Sequence, residues 1–286
     1  MSIQNTLIES LKETTGIVLI IFFLMILIEL FVLKYKEKIL SFIKKNKFLE
    51  YTLSSFFGII PGCVGTFAMD SLYMAGLLSF GGIVAVMIST SGDEAFLLFS
   101  LAIKNTIGWS ILLLLIGALF FIGIFGGYLA DKFKKRTKME FCKKCEITNH
   151  KHKEFKMRHF LVEHIYNHII KKHIFKIFIW IFIAIFLISL FNDKINLVIE
   201  GLNPFVILIL ASLIALFPIS GPNVFLVIMF SQGLIPFSIL LANSIIQDGH
   251  GLLPILGFSM TDALKIKLFN FIIGISFGIV LLLLGL

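Results

Sequence analysis

The sequence predicts an all-α integral membrane protein that consists of two inverted-topology repeats, each with about five hydrophobic segments and broken helices. Three observations support this prediction: the composition, the distribution of charge and an internal repeat. Of the 286 residues, 58% are hydrophobic and only 15% are charged, whereas about a quarter of the residues in a soluble domain are charged. The mean hydropathy is +1.00. We therefore expect the bilayer to be the solvent of this chain.

Four apolar runs are long enough to cross a bilayer as helices. They are close to the roughly 20 residues that span about 30 Å of hydrocarbon. A lysine cluster follows the first run, which lacks a small-residue cleavage site, so we expect a retained helix and not a signal peptide. The runs are 15–34, 106–130, 174–191 and 268–286.

Positive charge is concentrated in one loop. Residues 131–176 contain 14 Lys and Arg against 5 Asp and Glu, while the rest of the chain contains 11 against 12. The positive-inside rule places this loop and the basic segment 34–47 in the cytoplasm, so each half crosses the membrane an odd number of times. We expect a first transmembrane repeat at 1–130, a basic Cys/His-rich cytoplasmic loop at 131–173 and a second, inverted transmembrane repeat at 174–286.

The chain superposes on itself at one offset, 157 residues. This offset places Pro61 on Pro218, and the run that begins at Gly76 on the run that begins at Gly233. An odd number of crossings per repeat requires the second copy to be inverted. In transporters of this design, substrate sites lie near the bilayer midplane at the repeat interface.

The apolar sequence of each half is interrupted twice between its outer helices. Pro removes a backbone donor and Gly relaxes a helix, so backbone polar groups become free at membrane depth, where they must line a cavity or contact protein. We therefore expect broken helices and ten hydrophobic segments in total; if 51–79 is a re-entrant hairpin, each half crosses three times. The interruptions are at 61–62, 91–94, 218–222 and 247–251.

The last helix of each half contains a G-x-x-x-G pair, Gly123 with Gly127 and Gly274 with Gly278. Small residues at this spacing allow two helix backbones to approach closely. We expect these glycines to serve helix packing.

Ionisable residues in the broken segments form the candidate transport site. A charged carboxylate at membrane depth costs roughly 2.5 to 3.5 kcal/mol on insertion scales unless it meets a cation, a proton or water. The alternative is that these acids lie in loops where the chain leaves the membrane. Because both acidic breaks fall at nearly the same place in the repeat, a site is favoured. The predicted metal ligands are Asp93, Glu94, Asp248 and His250.

Other polar side chains near the breaks complete the predicted substrate-binding set. The glycines that flank His250 leave its ring free to ligate a metal or to act as a pH-sensitive gate. This mixture of donors suits a transition metal but does not choose between Mn, Zn and Fe. Asp70 and Glu29 are weaker candidates, because each could pair with Lys or lie at an interface. The additional set is Ser91, Gln247, Asn243, Cys63, Thr66 and Asn223.

The basic loop contains a second candidate metal site. Cys142 and Cys145 form a C-x2-C pair, and His164 and His168 are spaced to share one helix face. In a reducing cytoplasm such a pair indicates a metal or thiol site, not a disulfide. The alternative is a solvated connector with incidental His residues, whose charge fits the anionic inner leaflet. No nucleic-acid partner is needed to explain this charge.

The sequence contains neither G-x-x-x-x-G-K-[ST] nor H-E-x-x-H. These absences argue against an ATP-driven pump acting alone and against a familiar metalloprotease site. The energy for transport would then come from an ion gradient or a partner. We expect a protein that is not an enzyme and requires no cofactor.

The motifs at the breaks resemble those of a known family. The runs 61–63 (PGC), 89–96 (STSGDEAF), 241–244 (LANS) and 247–254 (QDGHGLLP), with the Cys/His-rich loop, are similar to those of the ten-transmembrane heavy-metal or manganese exporters of bacteria. The resemblance covers essentially the whole chain. It implies a multi-pass permease of the bacterial plasma (inner) membrane.

Three functions are compatible with these observations. The first is a secondary exporter of a divalent transition metal, manganese or similar, with a midplane site at the repeat interface. The second is a permease for an anionic or metalloid compound that is bound by freed N–H groups and helix N-termini, with the acids as proton carriers. The third is an integral-membrane lipid-modifying enzyme with His250 and Asp248 as acid and base. The expected partners are the bilayer and the metal substrate; the sequence does not decide between a monomer and a homodimer.

Overall fold

The regular structure is helical throughout the part of the chain that the structure describes. Four helical stretches in it are long and apolar enough to cross a membrane: Phe80–Ile103, Trp109–Phe133, Phe237–Phe258 and Met260–Leu283. The predicted class, an all-α protein with several membrane spans, is confirmed. The structure is a computed structural model and describes residues 3–40, 46–74, 76–133, 174–175, 178–179, 181–187, 189–190, 201–217 and 220–286.

The first half contains a long helix, two pairs of short helices and a second long helix. The short helices are separated where the sequence predicts breaks, because α2 ends before Pro61 and α4 ends before Gly92. The helices are α1 (Ile3–Leu40), α2 (Lys47–Ile59), α3 (Val64–Met74), α4 (Phe80–Ser89), α5 (Glu94–Ile103) and α6 (Trp109–Phe133).

From residue 201 onward, the described part of the second half follows the order of elements that the first half has after its long first helix. The predicted break at 247–251 contains a 3₁₀ turn, Gly249–Gly251, whereas Pro218 and Ile219 of the other predicted break lie outside the described residues. The helices are α7 (Pro204–Ile214), α8 (Ser220–Ser231), α9 (Phe237–Ile246), α10 (Leu252–Phe258) and α11 (Met260–Leu283).

Local features recur at the spacing of the sequence repeat. Asn46 and Asn203 each cap the helix that follows, because each side chain accepts a hydrogen bond from the backbone N–H two residues further on. Gly92 and Gly249 both adopt the left-handed conformation, with φ of 52° and 51°, which glycine reaches without a Cβ clash. The members of each pair are 157 residues apart. The inverted orientation of the second half in a membrane remains a prediction.

A central, buried helix packs between two neighbours in each half. α4 packs against α2 and α6, and α9 packs against α7 and α11. The G-x-x-x-G glycines lie at these contacts. A Cβ atom on Gly127 would be 2.7 Å from the carbonyl oxygen of Gly81, and one on Gly274 would be 2.9 Å from that of Ala242. The close packing predicted for these glycines is confirmed.

The two halves meet through the helices that flank the breaks. α5 packs against α8, and α3 packs against α10 and the 3₁₀ turn, while α4 contacts α9 and α11. In this interface Gly251 lies so close to Thr66 that a Cβ atom on the glycine would overlap the Thr66 methyl group. The break at 247–251 therefore faces the first half inside the protein.

Two acids fix the start of α4. The Asp131 carboxylate accepts hydrogen bonds from the Gly81 backbone N–H at 2.6 Å and from the Tyr51 hydroxyl at 2.8 Å. Glu50 accepts one from the Ser79 backbone N–H at 2.5 Å. Negative charge is favourable where a helix begins with unpaired N–H groups. These two acids therefore have a structural role.

Candidate transport site

The second break of the first half buries two of the predicted acids. α4 ends at Ser89, the left-handed Gly92 turns the chain, and α5 begins at Glu94. Asp93 is 6% exposed and Glu94 is 3% exposed. Acids in a loop that leaves the membrane would be solvated. Their burial therefore favours a site over loop acids.

Asp93 and His250 approach each other from different halves. Nδ1 of His250 lies 3.9 Å from Oδ2 of Asp93, and 33% of the His250 side chain is exposed. Each residue directly follows the left-handed glycine of its break, Gly92 or Gly249. The structure thus brings together two of the four predicted metal ligands, at the contact between the halves.

Glu94 is buried without a cationic partner in the described structure. The amide groups of Gln247 and Asn223, from the second half, are the side-chain groups that face its carboxyl, yet neither carboxyl oxygen makes a hydrogen bond of regular geometry. An unpaired charge in an apolar interior is strongly unfavourable. The position therefore favours a bound cation or a proton.

Cys63 lies beside the acids. Its sulfur lies beside the backbone N–H of His250 and is close enough to Asp93 and Glu94 for their charges to act on it. Next to it, the hydroxyls of Thr66 and Thr90 are 3.0 Å apart. The break at 61–62 thus contacts the break at 91–94 in its own half and the break at 247–251 in the second half.

Asp248 is bonded to a different set of groups. Its Oδ2 accepts a hydrogen bond from Nζ of Lys267 at 2.7 Å, and its Oδ1 accepts one from Nδ2 of Asn270 at 2.6 Å. Lys267 also donates to the carbonyl oxygens of Ala215 and Ile246, both at 2.9 Å. These carbonyls lie at the ends of α7 and α9. A role of Asp248 as a metal ligand remains a prediction.

The sequence analysis did not identify Lys267 and Asn270. Both are buried on α11, and a lysine is unfavourable inside an apolar span unless it is paired. Lys267 falls within the candidate span Met260–Leu283, and a lysine inside an apolar run can be recognised from the sequence. Lys265, two residues away, is exposed, so only the structure shows which of the two lysines pairs with Asp248.

The other predicted residues divide between the site and the undescribed part of the chain. In the described part, no three His, Cys, Asp or Glu side chains are close enough together to hold a metal ion. Ser91 and Asn243 are buried in or just before the second breaks. Cys142, Cys145, His164 and His168 lie outside the described residues, and so does the Glu29 side chain. The full ligand set therefore stays a prediction.

One run in α11, 274–278 (GISFG), has the spacing of a hydrolase nucleophile motif, G-x-S-x-G. That motif requires a sharp turn between a strand and a helix, which exposes the serine hydroxyl. Ser276 lies within a continuous helix instead, and its hydroxyl donates to the Ile272 carbonyl at 2.7 Å. The run is therefore not a nucleophile elbow.

Comparison with known proteins identifies the family. The chain matches a family described as "Putative, 10TM heavy-metal exporter", over residues 13–200 and 159–284. The chain belongs to this family. The resemblance expected from the motifs is confirmed, and membership in this exporter family supports metal transport by a multi-pass membrane protein. Searches of curated proteins and of solved structures found no match.

Proposed function

We propose that the protein is a secondary exporter of a divalent transition metal, manganese or a similar ion, with its cargo bound between the two halves. The observation that carries this proposal is the 3.9 Å approach of Asp93 and His250 beside Glu94. Carboxylate and imidazole together are suitable ligands for such ions. Family membership supports metal as the cargo class.

In this proposal Asp93, Glu94 and His250 ligate the ion. The amides of Asn223 and Gln247 border Glu94 and would supply carbonyl oxygens as further donors. The three ligands do not yet converge, and they come from both halves. A small movement of one break toward the other would bring them together around the ion.

The contacts between the halves favour alternating access by relative movement of the repeats. α5 of the first half packs against α8, and α10 of the second half packs against α3. At the repeat offset, α3 corresponds to α8, and α5 to the 3₁₀ turn with α10. Such reciprocal contacts are those expected between two halves related by a two-fold axis, which is the design of inverted-repeat transporters.

An anionic or metalloid cargo is less well supported. Freed backbone N–H groups and helix N-termini could bind an anion, but Lys267, the buried cation of the described residues, is not available to it. An ammonium group has three donors. All three are used, by Asp248, Ala215 and Ile246.

A lipid-modifying enzyme is also less well supported. It requires His250 and Asp248 to act as a pair. Both oxygens of Asp248 are bonded to α11 side chains, and His250 faces Asp93. The acid–base pair is therefore not assembled.

Metal flux in proteoliposomes tests the proposal. We expect wild-type protein to move Mn, Zn or Fe selectively, and Asp93→Asn, Glu94→Gln and His250→Gln to abolish that movement. Glu9→Gln is the matched control, because Glu9 is exposed on α1 and its removal should leave flux unchanged. The proposal fails if wild-type protein moves none of these metals under any gradient, or if the three variants transport as well as the control.

A further inference from the structure

Asp70 is a buried acid that the proposed metal site does not use. It lies on α3, its side chain is 0% exposed, and neither carboxyl oxygen has a hydrogen-bond partner. Its neighbours on the same helix, Met69 and Tyr73, are equally buried. An ionised carboxylate without a donor or counter-ion is among the least favourable groups in an apolar interior.

A second carboxylate makes ionisation of Asp70 still less favourable. The charge that acts on Asp70 is that of Asp248, another carboxylate. Lys267 neutralises Asp248 and has no donor left for Asp70. Two ionised carboxylates and one ammonium would leave one uncompensated negative charge in the same buried region.

The elements packed on α3 supply no other counter-ion among the described side chains. α3 contacts α1, α2, α4, α10 and the 3₁₀ turn, and α4 and α10 contain no ionisable residue; α11 also contacts α3, through Asp262, which accepts a hydrogen bond from the Tyr73 hydroxyl at 2.9 Å. The described charged side chains of α1 are exposed, those of α2 lie in its first turns, and the histidine of the 3₁₀ turn faces Asp93. The ionisable groups are Glu9, Lys12 and Glu13 on α1, Lys47, Glu50 and Tyr51 on α2, His250 in the turn, Tyr73 on α3 and Cys63 before it.

We propose that Asp70 is a proton-binding site, and that the proton it exchanges is the coupling ion of the exporter. Only the role of this proton as coupling ion rests on the proposed function; the proton-binding site does not. With a proton on Asp70, the group formed by Asp70, Asp248 and Lys267 is neutral. When the proton leaves, the Asp70 carboxylate repels the Asp248 carboxylate, whose charge acts on it.

That repulsion acts on the arrangement of the two halves. Lys267 holds the carbonyl ends of α7 and α9 as well as Asp248. Asp70 belongs to α3, which packs against the second half at Gly251. Repulsion between the two carboxylates would therefore disturb the contacts that Lys267 makes at the second-half break and change how that break packs on α3. Proton exchange is thus linked to movement of the metal site in the same interface.

Infrared spectroscopy of the purified protein tests the proton site directly. We expect a carboxylic C=O band from a protonated, buried Asp at neutral pH, and its loss in Asp70→Asn, whose neutral amide imitates the protonated acid in shape. Glu94→Gln is the control and should keep this band. An Asp70→Asn spectrum identical to that of wild type would overturn the inference, whether or not any metal is transported.

Transport measurements test the coupling. In proteoliposomes we expect Asp70→Asn to retain exchange of labelled Mn for unlabelled Mn, and to lose both accumulation driven by a pH gradient and the accompanying proton movement. Asp70→Glu should restore part of both, whereas Asp93→Asn should lose exchange as well. Undiminished proton-driven accumulation in Asp70→Asn contradicts the coupling role. Absence of exchange in wild-type protein contradicts the exporter function and leaves the infrared result to decide the proton site.

Discussion

Nε2 of Gln247 lies 3.5 Å from the carbonyl oxygen of Thr90, and the two residues are 157 residues apart in the chain. This separation is the offset of the sequence repeat, so two equivalent positions are in contact. A two-fold axis relating the halves must pass close to any such pair. The contact therefore indicates where an inverted repeat would have its axis, directly beside Asp93 and His250.

An exchange of Asp93 and His250 tests whether these positions act as a pair. The two residues occupy equivalent places after Gly92 and Gly249, so the double variant Asp93→His with His250→Asp retains one carboxylate and one imidazole. We expect each single variant to lose metal flux by more than the roughly 10 to 100-fold typical of outer partners of metal ligands. The double variant should recover part of it. A double variant no better than either single variant would contradict the pairing.

Removal of Lys267 should destabilise the protein strongly. Lys267→Met leaves the Asp248 carboxylate and two carbonyl groups without their donor, and breaking one partner of a buried ion pair costs about 3–5 kcal/mol. We expect Asp248→Asn in the same chain to recover much of this loss. Reversible unfolding in mixed detergent measures it. Lys265→Met is the control, because Lys265 is exposed on the same helix. Equal effects at both lysines would show that the ion pair is unimportant.

A methyl group at Gly251 should disturb the contact between α3 and the second half. Gly251→Ala places its Cβ against the Thr66 methyl group, and overpacking of this kind costs about 1–3 kcal/mol. Thr66→Ser removes that methyl but keeps the hydroxyl that contacts Thr90. The double variant should therefore recover stability and flux. The control is Gly257→Ala, where nothing lies within 4 Å.

Failure of Thr66→Ser to rescue Gly251→Ala would place the clash elsewhere and contradict the contact. A loss in the Gly257→Ala control equal to that in Gly251→Ala would contradict it as well. Both comparisons use the same unfolding assay, together with Mn flux in vesicles.

Because α6 packs closely on α4, alanine substitutions at different glycines of α6 should have different effects on the stability of the protein. Gly127→Ala would place Cβ 2.7 Å from the Gly81 carbonyl oxygen, whereas nothing lies within 4 Å of the corresponding atom at Gly117. We expect Gly127→Ala to destabilise the protein by about 1–3 kcal/mol. Gly117→Ala should stabilise the helix by about 0.5–1 kcal/mol. Unfolding in mixed detergent distinguishes the two, and similar values for both variants would contradict the packing.

Much of the fold was predictable because its causes are local. Proline lacks the backbone N–H that a helix interior needs, and clustered with glycine and polar residues in an apolar run it indicates an interruption, so the breaks around Pro61 and Gly92 could be located without coordinates. The offset of the repeat is a property of the sequence alone. The G-x-x-x-G pairs likewise predicted close contacts, because small side chains permit them in any partner.

The candidate site was predictable only in part. The sequence by itself determined that the chain is a multi-pass membrane protein with broken helices, and that Asp93, Glu94, Asp248 and His250 are unusual in their apolar surroundings. Only the tertiary structure decided that Asp93 faces His250, that Lys267 and Asn270 bind Asp248, and that Asp70 has no hydrogen-bond partner. Hydropathy and spacing reveal which charged groups need a partner. Which group becomes that partner depends on helices distant in sequence, whose contacts form only when the chain packs.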